Sequence, residues 1–197
     1  MHSPVAIKGR VARVAAAWGA LCASCLVSAP GHADDLVASV APDTGLKSWS
    51  YEGDSLAIEL LQVPPDFIRA SYARRGLPPE VREAVATRCV FGTIVRNIGD
   101  QALSYRVADW RYRAADGVEH PIKTKSEWLE EWHGMGVRFS WSILADDATF
   151  EVGDWIQGFT TMPEPHGSTL ALTVAWSVGG EHYEKTLAGL ECAPAPE

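Results

Sequence analysis

From Cys89 to Cys192 the chain repeats one unit: a short run of alternating apolar and polar residues, then a turn. Cys89–Asn97 is rich in β-branched and aromatic residues and is punctuated by Asn97-Ile98-Gly99-Asp100. Residues 103–112 place Leu103, Tyr105, Val107 and Asp109 on one face, with Trp110 and Tyr112 on the other. Asp116-Gly117 leads into residues 118–122. Residues 137–144 and Trp155–Met162 extend on either side of a corner at 150–154, and Trp155 follows that exposed corner. Thr169–Val178 then turns at Gly179-Gly180 into residues 182–190. Side chains on a strand alternate between faces, so a period of two marks strands with one buried side. About seven such segments, with turns every 8–12 residues or so, predict an antiparallel β-sandwich, mainly β in class.

The segment I-V-R-N-I-G-D-Q-A-L-S-Y-R-V-A-D-W, followed later by T-L-A-L-T-V-A-W, resembles immunoglobulin-like domains of exported bacterial proteins. The resemblance spans roughly residues 89–190 and concerns the fold; sandwiches of this kind host many functions.

The first 33 residues form a separate expectation. Lys8, Arg10 and Arg13 precede an apolar run from Val14 to Val27, and small residues lead to a processing site at Gly31-His32-Ala33. This is the pattern of a cleaved secretory signal, and it points to an exported, periplasmic protein. Cys22-Ala23-Ser24-Cys25 loosely resembles a lipoprotein signal, which would anchor the chain through Cys25; cleavage after Gly31 would leave His32 as the amino terminus. The apolar run is too short for a comfortable span, and no later window suits one. Removing the leader leaves 14 basic against 25 acidic residues, a net charge of −11. That excludes nucleic acid as a partner and disfavours an anionic membrane surface. Only Cys89 and Cys192 then remain, and two cysteines in an exported chain predict one disulfide.

Ahead of the sandwich, residues 34–54 mix Ala, Ser, Pro, Gly and Asp and read as a flexible lead-in. Residues 55–88 read as an N-terminal extension made of a strand and a helical hairpin. Pro64-Pro65-Asp66 and Pro78-Pro79-Glu80 each set a proline and an acid where a helix begins, and Gly76 ends the first helix. Ser126 is expected to cap a short helix over residues 127–133. Residues 89–192 form the sandwich, and 193–197 a loose tail.

No hydrolase, phosphate-loop or calcium-loop signature is present, so an enzyme is not expected. The chemistry-bearing residues suggest binding to a protein partner or small ligand. The hairpin carries Arg69, Arg74, Arg75 and Arg82, a locally basic island suited to an acidic partner. His133-Gly134-Met135 and Met162-Pro163-Glu164-Pro165-His166 gather imidazoles and thioethers, a ligand set that suits copper. These spacings resemble the His and Met loops of exported copper carriers built on sandwiches. If residues 137–144 and Trp155–Met162 pair as a hairpin, both clusters share one end of the sheet. Seven tryptophans follow the leader (Trp49, Trp110, Trp128, Trp132, Trp141, Trp155, Trp176), and three or more exposed together would favour glycan binding.

Overall fold

The computed structural model describes residues 36–140 and 142–195; the leader, its processing site, Cys25 and Trp141 lie outside the described residues. In chain order the elements are β1 (Val37–Val40), β2 (Lys47–Gly53), β3 (Leu56–Gln62), α1 (Pro65–Arg74), α2 (Pro79–Ala86), β4 (Cys89–Asn97), β5 (Leu103–Arg106), β6 (Arg111–Arg113), β7 (Glu119–Pro121), α3 (Lys125–Gly134), β8 (Asp147–Phe150), β9 (Trp155–Met162), β10 (Thr169–Val178) and β11 (Glu181–Glu191). One sheet has the order β1-β2-β3-β4-β9. In the other, β10 pairs with β11 on one side and with β5 and β6 on the other; β8 and β7 pair with these in turn. All these pairings are antiparallel, and the two sheets pack as a sandwich.

The main core lies between the sheets. Trp49, Tyr51, Ile58, Leu60, Phe91 and Val95 from the first sheet meet Leu103, Tyr105, Trp110, Leu172, Val174 and Trp176 from the second. A second core sits on the outer face of the first sheet. There Ile68, Tyr72, Val81 and Val85 of the hairpin join Trp128 and Trp132 of α3 over Val63, Val90 and Phe159. The apolar run of β4 serves both: Cys89, Phe91 and Val95 point inward, and Val90 points to the helices. This double burial explains why β4 reads as continuously apolar.

Several expectations change. Residues 34–54 hold two strands where a lead-in was expected. In β2, Trp49 and Tyr51 alternate with Ser48, Ser50 and Glu52, a two-residue period sitting beside Pro- and Gly-containing turns. The strand at 55–63 is an interior strand, paired to β2 on one side and β4 on the other. The helical hairpin is therefore inserted between sandwich strands, not placed ahead of them. Its prolines do start both helices, at the first helical position of each, and Gly76 with φ +75° follows α1.

Residues 103–112 are not one strand. A 3-10 turn at Val107–Asp109 advances the phase by one residue, so Trp110 and Tyr112 join Leu103, Tyr105 and Val107 in the core instead of facing away. Trp110 Nε1 donates to the Ala175 carbonyl at 3.0 Å, satisfying the indole inside. Helix α3 is capped by Thr124 in a capping box with Glu127, whereas Ser126 lies inside it and bonds Asp146. Among the described residues, 137–144 form no strand; they touch β9 through a single parallel bridge, Ile143 to Phe159. Gly158 permits that crossing, since a Cβ there would lie 2.4 Å from Leu144 Cα.

Cys89 and Cys192 form the expected disulfide, both buried, and it joins β4 of one sheet to the residue following β11 of the other. Ala193 just beyond is also buried and accepts from the Gly167 amide, so the tail is pinned at its start.

Candidate functional site

At the opposite end of β4 from the disulfide, three turns meet around Asn97 and Ile98. Asn97 is fully buried. Its Nδ2 donates to the carbonyls of Gln101 (2.7 Å), Phe150 (3.3 Å) and Glu151 (3.2 Å), and its Oδ1 accepts from the Gly99 amide at 3.0 Å. Its main chain donates to Asp154 and accepts from Gly153. The next residue, Ile98, donates its amide to the Ser55 carbonyl at 2.8 Å. The turns after β2, β4 and β8 are thus bound to one another. Two glycines are required: Gly153 has φ +85°, and a Cβ on Gly99 would lie 2.3 Å from Ser55 Oγ. Asp154 Oδ2 accepts from the Glu151 amide, and Trp176 Nε1 reaches the Asp54 carbonyl.

This scaffold holds three large apolar side chains in water. Ile98 is 46% exposed, Val152 57% and Trp155 56%. Val152 lies between residues bonded to Asn97, and Trp155 pairs across the strands with Arg96, which pairs in turn with Ala57. The same turns carry exposed carboxylates at Asp54, Asp100, Glu151 and Asp154, and Glu52 is exposed near the end of β2. A buried Asn making four side-chain hydrogen bonds rigidifies its neighbours. Exposed aromatic and aliphatic side chains held on rigid turns at one loop end are the composition of a protein-binding anchor.

The residues singled out from sequence fall elsewhere. Met162 is fully buried in the core between the sheets, where it pairs in register with Cys89. Helix α3, which carries His133 and Met135 to its end, packs on the opposite face of the same sheet; Trp128 Nε1 donates there to Thr161 Oγ1. Strand alternation sends neighbouring Thr161 and Met162 to opposite faces, so Met162 is separated from His133 and Met135. His166 donates Nε2–H to the Ala86 carbonyl at 3.0 Å. The four side chains are not brought together. Among the described residues no group of three or more His, Cys, Asp or Glu is placed to hold a metal.

Of the four arginines, Arg69 is engaged within the hairpin, bonded to Glu83 at 2.9 Å and to Asp66 at 3.0 Å. The bond to Glu83, helped by that to Asp66, raises the Arg69 pKa, and Arg69 in turn holds Glu83 below the usual carboxylate range. Arg82 is half-buried, and Arg74 and Arg75 are exposed at the end of α1. Among the described tryptophans, Trp155 alone is exposed; Trp128 and Trp132 form the floor of the helical layer. A three-tryptophan sugar platform is therefore absent among the described residues.

The outer face of the second sheet carries a shallow cavity of about 430 Å³ lined by Ser104, Arg106, Asp109, Asp147, Ala175 and His182. Its Arg106 is occupied by Asp109 at 2.9 Å.

Sequence reasoning marked Asn97-Ile98-Gly99 as a turn and Trp155 as following a corner. It missed that Asn97 joins them, because the bonds to Phe150 and Glu151 cross more than 50 residues of chain.

No protein-family model matches the chain, and no curated protein matches it. Among solved structures it is similar to the YjhA protein of Bacillus subtilis, with 14% identity and a TM-score of 0.34 over 64% of this chain and 76% of that one. At that level the similarity carries no argument about fold or role.

Proposed function

We propose that this chain is an exported binding or accessory protein, non-enzymatic, that docks a protein partner on the loop end built around Asn97. The observation that carries the reading is the exposure of Ile98, Val152 and Trp155 on turns fixed by a fully buried side chain. Folding gains nothing from leaving about half of a tryptophan in water, whereas association gains roughly 25 cal/mol for each Å² of apolar surface it removes. Pre-organisation lowers the ordering cost of binding. Export is supported by the leader pattern and by the sealed disulfide, which suits an oxidising compartment.

The test is a photoreactive amino acid placed at position 155 and, as a control, at Thr173 on the outer face of the second sheet. The expected result is a discrete adduct of one size from position 155 only, and loss of binding of the purified partner by Trp155→Ala. Adducts from Thr173 and none from 155 would overturn it.

A further inference from the structure

We infer that the partner of this loop end is a polypeptide segment that is both apolar and cationic. The inference rests on the reading that this end is the docking face, and it adds the charge of what docks there.

Three observations converge. First, the joined turns that carry Ile98 and Val152 also carry exposed Asp54, Asp100, Glu151 and Asp154, with exposed Glu52 at the end of β2 and Arg96 across the strands from Trp155. Rim carboxylates are weak as individual contacts but together set the field that steers an approaching chain. Second, the exposed indole of Trp155 offers a π face, which attracts Lys and Arg side chains, the more so once binding desolvates it. Third, the same carboxylates disfavour other occupants. A second copy docked face to face on a two-fold axis would oppose these carboxylates to themselves. An anionic membrane surface would be repelled. A sugar platform would need further exposed aromatics, and among the described tryptophans only Trp155 supplies one. What fits is a segment whose apolar side chains cover Ile98, Val152 and Trp155 while its Lys and Arg side chains reach the rim.

The experiment titrates the whole mature protein with short synthetic peptides, following tryptophan fluorescence at low and moderate salt. One peptide alternates Leu and Lys, one Leu and Glu, one Ser and Lys; phosphatidylserine vesicles are a fourth probe. The Leu/Lys peptide is expected to bind, with affinity falling as salt rises. Trp155→Ala should weaken it roughly tenfold, as for a central anchor. The triple reversal Glu52→Lys, Asp100→Lys and Glu151→Lys should weaken it by a similar factor, while Glu80→Lys with Glu130→Lys, exposed on α2 and α3 of the helical layer, leaves it unchanged.

The failures separate. Equal, Trp155-dependent binding of the Leu/Lys and Leu/Glu peptides overturns the cationic partner and leaves the docking face standing. Binding of the Leu/Lys peptide that ignores Trp155→Ala overturns both. Equal binding of the Ser/Lys peptide, or Trp155-dependent binding of the vesicles, overturns the apolar segment as the occupant. A Trp155-dependent dimer of the protein alone in sedimentation overturns the inference in favour of a second copy.

Discussion

β4 begins at Cys89 and ends at Asn97, and those two residues close the sandwich by different means. At the Cys89 end a covalent bond joins the sheets, Met162 and Gln62 are buried beside it, and three helices cover the outer face. Gln62 there is used internally: its Nε2 donates to the carbonyls of Glu191 and Cys192 and its Oε1 accepts from the Lys47 amide. At the Asn97 end Ile98, Val152 and Trp155 are exposed among the described residues. The turns there are locked by hydrogen bonds from within, and their apolar side chains point out. One end spends its apolar residues on stability; the other holds them rigidly at the surface, which is what recognition requires.

Breaking the sealed end gives the largest effect. The disulfide closes a loop of 103 residues, worth about 4–5 kcal/mol in the chain-entropy model. Cys89→Ser with Cys192→Ser should lower the urea unfolding free energy by that amount while leaving peptide binding at the far end intact in the folded fraction. Asn97→Ala removes four hydrogen bonds and strands buried carbonyls, at a cost of roughly 1–3 kcal/mol. Unlike the cysteine changes, it should also speed amide exchange at residues 98–101 and 151–154 and weaken binding.

Alkaline pH probes the helical layer. Burial pushes the Tyr72 phenol from its ordinary value near 10 up to about 12, against the opposing hydrogen bond with Ser142 at 2.7 Å. A folded-state pKa above the unfolded one gives stability that is full below pH 10 and is lost as pH rises through about 12. Near pH 11 the loss should be on the order of 1 kcal/mol, and Tyr72→Phe should remove this part of the pH dependence. The smallest effect on stability belongs to Trp155→Ala, expected to shift unfolding by no more than about 0.5 kcal/mol because the side chain is exposed. Large loss of binding with so little loss of stability is the signature of the open end.

How legible this was in the sequence depended on the range of the contacts involved. β10 shows its alternation locally, and the prolines and acids at 64–66 and 78–80 announce α1 and α2. The disulfide follows from Cys89 and Cys192 being the two cysteines beyond residue 33. By contrast, the one-residue phase shift at Val107–Asp109 has no local signal in an otherwise alternating run. Asp146 caps α3 from 20 residues away, and Asn97 gathers carbonyls from 4 to 54 residues away. The His and Met clusters read as one site because spacing along a chain does not say which face of a sheet a residue takes. Met162 faces inward, and that one orientation separates the set.

Docking at the Asn97 end is tested most directly by amide exchange of the protein with and without the partner captured from position 155. Slowed exchange confined to residues 96–99 and 151–156 is the predicted result. Protection appearing instead over the hairpin at 65–86 or along β10 and β11, with the Asn97 turns unchanged, would contradict it.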